Sequence, residues 1–273
     1  MCGTPIGNLE DVSPRALRVL AEADLVACED TRRTRKLLTY GGIRARELVS
    51  YHEGNERRRA RALVDRISGG AVVVLVSDAG MPGLSDPGYR LVRECVDAGH
   101  RIEVVPGPSA VVSALAVSGL PPGRFAFEGF LPRRPGDRVR RIHDIEADTR
   151  TLIFFESPHR LEDALKDLLE GLGDRPACIA RELTKLHEEV HRGRLSELLA
   201  GVRKAPPRGE MVLVVGGAIH ADRVKTPPDE LARRARRLMD GGMDRREALA
   251  EVARTARVSR REVFDALVEE KND

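Results

Sequence analysis

The chain has 273 residues and a formal net charge of +3, because 46 lysines and arginines stand against 43 aspartates and glutamates. Charged residues make up 33% of the chain and hydrophobic residues 41%, which is typical of a folded globular protein and argues against disorder. This length predicts roughly two domains, with cores that need no disulfide or metal ion for stability. The small net charge excludes a histone-like polycation but is compatible with a local basic patch.

Neither a membrane span nor a secretory signal is predicted. No apolar run approaches about 18 residues, and the first residues, MCGTPIGNLEDVS, lack the basic start and apolar core of a signal peptide. The four cysteines are far apart and form no C-x-x-C pair, so we expect reduced thiols in a cytoplasmic protein. We expect no metal site, because no ligand spacing typical of one is present.

The first part of the chain alternates between helix and strand signals. Ser13 and Pro14 predict the start of a helix, because serine accepts free N–H groups and proline suits the first helical position. Apolar runs predict strands at 25–28, 72–76 and 102–105, and the continuous β-branched second run is typical of a buried parallel strand. The order favours an α/β fold. Helices are predicted at 14–23, from 31 to the glycines at 41 and 42, and at 55–67, 87–98 and 108–117.

A second set of elements follows the segment Leu-Pro-Pro-Gly at 120–123. Because the helices between its later strands become short, and parallel neighbours need long crossovers, we expect a mixed sheet. Strands are predicted at 125–130, 151–155, 177–181 and 211–215, and helices at 158–169 and 195–199.

The last part of the chain predicts a small helical domain. Thr226, Pro227 and Pro228 mark a boundary, and Ser259 with Glu262 has the pattern of a capping box. Amphipathic helices at about 229–240, 244–255 and 259–270 are spaced like a helix-turn-helix. We therefore predict three domains, an N-terminal α/β domain at 1–119, a second α/β domain at 120–219 and a helical tail at 226–273.

Three segments rich in glycine and proline are the densest chemical signal. SDAGMPGLSDPG at 77–88 follows a predicted buried strand, PGPSA at 106–110 follows the next one, and GTPIGN lies at 3–8. Ligands of open α/β sheets bind at the carboxyl ends of strands, and such loops approach a ligand closely. Plain connectors are the alternative, but three such loops at one edge favour a shared cleft. The phosphate-binding patterns G-x-G-x-x-G and G-x-x-x-x-G-K-[ST] are absent, which favours a ligand without a phosphate chain.

Eight motifs occur in order: TPIGNLEDVSPRAL, CEDTRRT, VSDAGMPGLSDPG, VPGPSA, FEGFLPR, FESPHR, ARELTKLHEE and GEMVLVV. Over about residues 4–216 they resemble the ribosomal RNA small subunit methyltransferase I family, a branch of the tetrapyrrole-methylase fold. The resemblance implies two α/β domains with a cofactor cleft between them, followed here by the helical tail. It also implies S-adenosylmethionine as cofactor, a homodimer, and methylation of the ribose 2'-hydroxyl of a cytidine in the decoding region of 16S rRNA within the small ribosomal subunit.

The same resemblance implies which residues bind the cofactor. They lie in the three Gly/Pro loops and at two strand ends of the second domain. They are Thr4, Pro5, Ile6, Gly7, Asp78, Ala79, Gly80, Met81, Pro82, Pro106, Gly107, Pro108, Ser109, Phe155, Glu156, Ser157, Glu210, Met211 and Val212.

Two features depart from the family pattern. Relatives place a full strand before TPIGNL, whereas only Met1, Cys2 and Gly3 precede it here, so we expect the natural protein to extend upstream. Met81 stands where relatives more often have threonine, which removes a hydroxyl contact to the ligand. Gly54 stands where relatives more often have histidine, which weakens any catalytic role for the segment 51–53.

Proton transfer and RNA contact have their own candidates. We predict Glu182, Lys185 and Asp30 as catalytic, although Asp86 and Glu156 are further candidate bases. The alternatives are an ion-pair set at 181–185 and helix capping by Asp30 or Asp86.

Four aromatic residues are candidates for stacking a base, although packing in the core is favoured for them: Tyr51, Tyr89, Phe154 and Phe155. Arginine side chains suit phosphate, and the candidates for RNA contact are Arg32, Arg33, Arg133 and Arg134, with Arg35, Arg245, Arg246, Arg260 and Arg261 beside them.

Two further functions stay open at this point. A tetrapyrrole C-methyltransferase shares the fold, but the Arg-rich connector and the helical tail speak against it. A non-catalytic ribosome assembly factor is the other alternative, because the short start and Met81 depart from the family pattern.

Overall fold

A computed structural model describes residues 1–218, 227–256 and 258–269. The chain divides into two compact units, 1–218 and 219–273. The finer division of the first unit at residue 119 stays a prediction. The predicted boundary at Thr226 and the last residue of the predicted tail helix, at 270, lie outside the described residues.

The first sheet has three parallel strands in the order β2–β1–β3, formed by β1 (Leu25–Cys28), β2 (Leu48–Ser50) and β3 (Val73–Val76). Side chains of alternating strand residues pack on opposite faces, so β1 and β3 are buried on both sides, as the apolar runs predict. Helices α1 (Pro14–Glu22) and α2 (Thr31–Tyr40) cover one face. Helices α3 (Glu56–Ser68) and α4 (Tyr89–Asp97) cover the other.

The predicted strand at 102–105 is wrong, because only an isolated bridge between Cys2 and Val105 forms there. Cys2 N–H donates to Leu75 O at 2.9 Å, and Gly3 N–H donates to Val105 O at 2.9 Å. Val105 N–H in turn donates to Met1 O at 2.8 Å. Residues 1–3 thus lie between β3 and the segment at 102–105, and so short a ladder does not fix extended geometry along the whole segment.

The second sheet is mixed, as predicted, with five strands in the order β4–β5–β8–β6–β7. The pair β4 (Phe125–Phe130) and β5 (Thr151–Glu156) is parallel. The other neighbours are antiparallel, and they involve β6 (Pro176–Arg181), β7 (Glu189–Arg194) and β8 (Met211–Val215).

One face of the second sheet carries three helices, α6 (Pro135–Asp144), α7 (Pro158–Leu172) and α8 (Leu195–Lys204). The opposite face packs against α5 (Ala110–Ser118), which follows the segment at 102–105 in the chain. Val111 and Leu115 of α5 meet Val212 and Val214 of β8 in this contact. Burial of these apolar side chains joins the two sheets into one unit and fixes the cleft between them.

The second unit contains three helices in its described residues, α9 (Pro228–Asp240), α10 (Arg245–Ala256) and α11 (Arg260–Glu269). Leu231, Val252 and Val263 share a small core. The predicted capping box is confirmed, because Ser259 N–H donates to Glu262 Oε2 at 2.7 Å and Glu262 N–H donates to Ser259 Oγ at 3.1 Å. Across the described ranges, no helix has the length and apolar character that a membrane crossing requires.

Candidate active site

A cavity of about 410 Å³ lies between the carboxyl ends of the first sheet and the face of the second. A volume of this size holds a small organic ligand. Many predicted cofactor-binding residues line it: Ile6, Asp78, Ala79, Gly80, Met81, Ser109, Phe155, Glu156, Ser157, Glu210, Met211 and Val212. Others belong to the same loops without lining the cavity: Thr4, Pro5, Gly7, Pro82, Pro106, Gly107 and Pro108.

The three Gly/Pro loops are in direct contact with one another. Thr4 N–H donates to Gly80 O at 2.9 Å, and Gly80 N–H donates to Thr4 O at 3.1 Å. Gly3 and Gly107 pass so closely that a Cβ on Gly107 would lie 2.8 Å from the Gly3 backbone. Glycine is required at this crossing because any side chain would force the loops apart. The loops therefore form one continuous wall of the cavity.

The first-sheet wall contains the carboxyl groups of Glu29, Asp78 and Asp86, which have different surroundings. Asp78 accepts from Asp30 N–H at 2.8 Å, and its second oxygen lies 3.5 Å from Arg33 Nε. Burial raises the pKa of Asp86 to about 6, and the neighbouring charges of Glu29 and Asp78 add to this while the Ser77 hydroxyl opposes it. Burial, helped by the charge of Asp78, also raises the pKa of Glu29. The wall thus holds two carboxyl groups that protonate more readily than usual.

Asp30 lies next to this wall but does not line the cavity. It is the N-cap of α2 and accepts from Arg32 N–H at 2.7 Å, while its second oxygen pairs with the Arg32 guanidinium at 2.9 Å. These side-chain and backbone hydrogen bonds lower the pKa of Asp30 to about 2. The side chain is engaged in capping, which is the alternative interpretation, and its catalytic role stays a prediction.

Glu182 and Lys185 lie together just after β6. Neither lines the cavity, although Leu183 between them does. Lys185 Nζ donates to Glu182 Oε1 at 2.8 Å and to Glu210 Oε2 at 3.1 Å. Burial alone would lower the pKa of Lys185, but its bonds to Glu182 and Glu210 outweigh that and leave this pKa raised. The pKa of Glu182 is lowered, first by its bond to Lys185. Both groups are therefore charged at neutral pH, so Lys185 is a hydrogen-bond donor and not a free amine.

The loop that carries this ion pair has an unusual backbone. Glu182 has φ +52° and Thr184 has φ +66°, which side-chain-bearing residues rarely adopt. Thr184 Oγ1 accepts from Asn8 N–H at 3.1 Å, so this loop is fixed against the last residue of the Gly/Pro loop at 3–8. Strain of this kind persists where surrounding contacts impose it and is common at functional sites.

Glu156 is fully buried at the junction of β5 and α7. Its Oε1 accepts from Ser157 N–H at 2.8 Å and lies 3.5 Å from Arg160 Nε. Burial raises the pKa of Glu156, although the Ser157 N–H and the Arg160 charge oppose this. Within the described chain, Oε2 has no hydrogen-bond partner. Its contacts with Ser157 and Arg160 hold the carboxyl group against the start of α7, in the part of the wall where Glu156 lines the cavity.

The four arginines predicted for RNA contact lie at or just before the first turn of a helix. Arg33 lines the cavity, and Arg32 is exposed and paired with Asp30. Arg133 and Arg134 precede α6, are exposed, and their side chains bond to none of the residues described. The predicted stacking candidates Tyr51 and Phe154 are buried in the core, whereas Phe155 lines the cavity.

Residues that the sequence analysis did not single out also line the cavity. Leu84, Ser85 and Phe130 are exposed residues of this lining, and Gly209 and Pro158 also belong to it. The three exposed residues lie in two of the eight motifs, VSDAGMPGLSDPG and FEGFLPR. The motifs could therefore have indicated them, but the sequence does not show which motif residues are exposed at the cavity.

Comparison with known proteins agrees with this architecture. A family model described as tetrapyrrole (corrin/porphyrin) methylases matches residues 1–199. A protein of Thermotoga maritima named ribosomal RNA small subunit methyltransferase I is 49% identical over 79% of this chain and 96% of the relative. One of the same name from Halalkalibacterium halodurans is 43% identical over 97% of this chain and 92% of the relative. The crystal structure of uroporphyrin-III-C-methyltransferase from Thermus thermophilus aligns with a TM-score of 0.54 and 25% identity over 79% of this chain and 92% of that one.

The fold and the cleft thus define a protein of the tetrapyrrole-methylase class. Within that class, the chain belongs to the ribosomal RNA small subunit methyltransferase I family and is a methyltransferase.

Proposed function

We propose that this protein transfers the methyl group of S-adenosylmethionine to the ribose 2'-hydroxyl of a cytidine in the decoding region of 16S rRNA. The observation that carries the proposal is the single cavity at which three Gly/Pro loops of the first sheet meet the second sheet. The names of the relatives support an rRNA of the small ribosomal subunit as substrate. We propose the assembled subunit as the form of that substrate.

The chemistry of the cavity wall fits a ligand with an apolar body and a positive charge. Ile6, Leu183 and Val212 supply apolar surface, and the carboxyl groups of Asp78 and Glu210 lie in the same wall. S-adenosylmethionine has these properties and, when bound, supplies an electrophilic methyl group on a sulfonium. We propose that the loops at 4–7, 78–82 and 106–109 and the strand ends at 155–157 and 210–212 hold it, with the carboxyl groups stabilising its charge.

Asp86 is the residue that we propose accepts the proton of the substrate hydroxyl. It lines the cavity, and the charges that act on it are those of Glu29 and Asp78, both negative. A pKa of about 6 leaves most of the carboxyl ionised at neutral pH while keeping it a better base than an ordinary aspartate. A base of this kind contributes about 10²–10⁴-fold to the rate.

The residues predicted as catalytic from sequence have orienting roles in this proposal. The Lys185 ammonium, held by Glu182 and Glu210, donates to the substrate hydroxyl or its phosphate and does not take up the proton. Asp30 acts through α2, because it caps the helix from which Arg33 reaches the cavity. Arg32, Arg33, Arg133 and Arg134 are proposed to contact RNA phosphates. We further propose a homodimer in the cytoplasm, as the family resemblance implies.

The transfer assay uses purified protein, small ribosomal subunits and cofactor labelled with tritium in the methyl group. We expect label in the rRNA of wild-type reactions, and about 10²–10⁴-fold slower labelling by Asp86→Asn with unchanged cofactor affinity in calorimetry. Label in a porphyrinoid precursor instead of rRNA would favour the tetrapyrrole C-methyltransferase. Absence of both label and cofactor binding would favour a non-catalytic assembly factor.

A further inference from the structure

Two apolar side chains are half-exposed at the mouth of the cavity, on opposite sides of it. Leu84 comes from the Gly/Pro loop of the first sheet and is 53% exposed, and Phe130 ends β4 of the second sheet and is 54% exposed. Large apolar side chains left open beside a cavity mark a surface that a ligand covers. Both side chains line the same cavity as the cofactor loops.

The backbone brings the two sides close together at this point. Gly129 has φ +66°, and a Cβ there would lie 3.5 Å from Ser85 Oγ. Ser85 itself has φ +62°. The register between β4 and β5 shifts between Phe127 and Gly129, and such an irregularity redirects the side chain that follows it. Loop and strand therefore meet beside Leu84 and Phe130, and both depart from regular geometry to do so.

The ring of Phe130 packs against another aromatic ring. Its centroid lies 5.6 Å from that of Phe155, with the rings tilted by 60°, and Phe155 in turn contacts Phe127 at 4.9 Å. This aromatic row holds the Phe130 ring in place while more than half of the residue stays open. A fixed aromatic face is suited to stacking a flat ring, because little side-chain freedom is lost on binding.

The charge that follows Phe130 in the chain indicates which kind of flat ring fits the slot. Arg133 and Arg134 follow Phe130 closely in the chain, are exposed, and their guanidinium groups contact no acidic side chain of the described residues. An apolar slot that is followed in the chain by two exposed arginines matches a nucleobase whose backbone phosphates continue past it. A base inside a helix does not reach such a slot, so the nucleotide must be unpaired or extruded.

We propose that Leu84 and Phe130 form a slot that stacks the base of the methyl-accepting nucleotide, extruded from its RNA, while Arg133 and Arg134 bind the adjacent phosphates. This inference rests on the proposed function and names the subsite that orients its substrate. Stacking tolerates any base, so the slot supplies affinity and orientation and leaves base identity to other contacts.

The test compares Phe130→Ala with Phe125→Ala on small ribosomal subunits. Phe125 is the matched control, because it is the same residue type at the other end of β4, is 40% exposed and does not line the cavity. We expect Phe130→Ala to raise KM for the particle roughly 5- to 150-fold, the range for removal of one base stack. Cofactor affinity in calorimetry should stay unchanged, and Phe130→Tyr should restore KM. Phe125→Ala should match the wild type in every measurement.

A spectroscopic measurement checks stacking without relying on turnover. Particles are reconstituted with rRNA that carries pyrrolocytosine at the nucleotide the wild-type protein methylates, and the fluorescence of this analogue is quenched by stacking. We expect quenching by the wild type and by Phe125→Ala, and its loss with Phe130→Ala and its weakening with Leu84→Ala.

The outcomes separate the inference from the proposed function. If the wild type puts no methyl group into rRNA, the proposed function fails. If the wild type methylates but Phe130→Ala keeps normal KM and quenching, the slot is wrong. The slot is equally wrong if Phe130→Ala weakens cofactor binding instead, because the ring then faces the cofactor, or if both alanine variants change KM alike.

Discussion

Three carboxyl groups near the cavity differ in their surroundings and therefore in their pKa values. Asp30 accepts hydrogen bonds from Arg32, which lowers its pKa to about 2, whereas burial beside Glu29 and Asp78 raises the pKa of Asp86 to about 6. Burial also raises the pKa of Glu29. Adjacent carboxyl groups with separated pKa values are suited to different roles. Asp30 stays ionised as a helix cap, and Asp86 is available to take up a proton near neutral pH.

Removing the charge of Glu29 should change the pH dependence of the reaction. The rate falls on the acid side as Asp86 becomes protonated. Its pKa is raised first by burial and then by the charges of Glu29 and Asp78, while the Ser77 hydroxyl opposes this. Asp78 is itself paired with Arg33. Glu29→Gln removes a negative neighbour, so the pKa of Asp86 falls and the acid limb moves to lower pH. The measurement is kcat/KM on small subunits over about pH 5–9. Glu170→Gln, exposed on α7, is the control, and an unmoved limb in Glu29→Gln would contradict the assignment.

Asp86 should also lower the stability of the folded protein at neutral pH. Its pKa is 3.8 in model compounds and about 6 here, so the folded state holds the proton more tightly than the unfolded state does. The stability that this group contributes is therefore present below about pH 4 and is lost as the pH rises to about 6. We expect Asp86→Asn to have a higher Tm than the wild type at pH 7 and an equal one near pH 4. Thermal unfolding across this pH range measures the difference. Equal Tm values at pH 7 would contradict the claim that burial destabilises the ionised carboxyl group of Asp86.

At the scale of elements, the cavity depends on the crossing of the first and third Gly/Pro loops. Gly107→Ala would place a Cβ 2.8 Å from the Gly3 backbone and force the loops apart. We expect a loss of roughly 1–3 kcal/mol in the free energy of unfolding, with weaker cofactor binding in calorimetry.

Gly201→Ala is the matched control for that change. A Cβ at Gly201, inside α8, meets nothing within 4 Å, so this substitution should stabilise the protein by about 0.5–1 kcal/mol. If Gly107→Ala were as stable as the wild type and bound the cofactor equally well, the loops would not form one wall.

The sequence predicts strongly patterned elements and misses weakly patterned ones. The run at 72–76 is apolar and β-branched throughout, and it forms β3. Strand β2 has only three residues, and β7 reads EVHRGR and is largely exposed, so neither carries an apolar signal. At 102–105 the error is the reverse, because a strand is predicted and none forms. The apolar pattern is typical of a strand, but the neighbouring segment to which it hydrogen-bonds spans only residues 1–3.

The site follows the same rule. The three Gly/Pro loops were predictable because their composition restricts the backbone whatever surrounds them, and the structure brings them into contact. The role of a charged residue depends on partners distant in sequence, such as Glu210 for Lys185. Leu84 and Phe130 show the same limitation, because only the fold determines that they remain exposed beside the cavity.

At the scale of the whole molecule, a net charge of +3 is too small to hold RNA by charge alone. The shape of the folded ribosomal particle must therefore contribute to substrate recognition, because it presents the target nucleotide unpaired. We expect folded small-subunit particles to be methylated much faster than short naked RNA that contains the same nucleotide. Equal kcat/KM on both substrates would contradict this expectation.

The arginines beside the slot should supply a salt-dependent part of binding. Removing one arginine–phosphate pair lowers the slope of log affinity against log salt concentration by about 0.7–0.9. We therefore expect Arg133→Ala and Arg134→Ala each to lower the slope for particle binding by about that amount, measured by filter binding at several salt concentrations. Arg203→Ala, which removes an exposed arginine paired with Glu162 on the helix face, is the control and should leave the slope unchanged.

Mass spectrometric mapping of ribose methylation tests the central claim most directly. Small subunits that lack the modification are incubated with the protein and isotopically labelled S-adenosylmethionine, and the rRNA is digested and sequenced by mass. The account predicts one new labelled 2'-O-methylcytidine, located in the decoding region, and its absence with Asp86→Asn. Label on a nucleobase, at a ribose outside the small-subunit rRNA, or nowhere while the cofactor binds would contradict it.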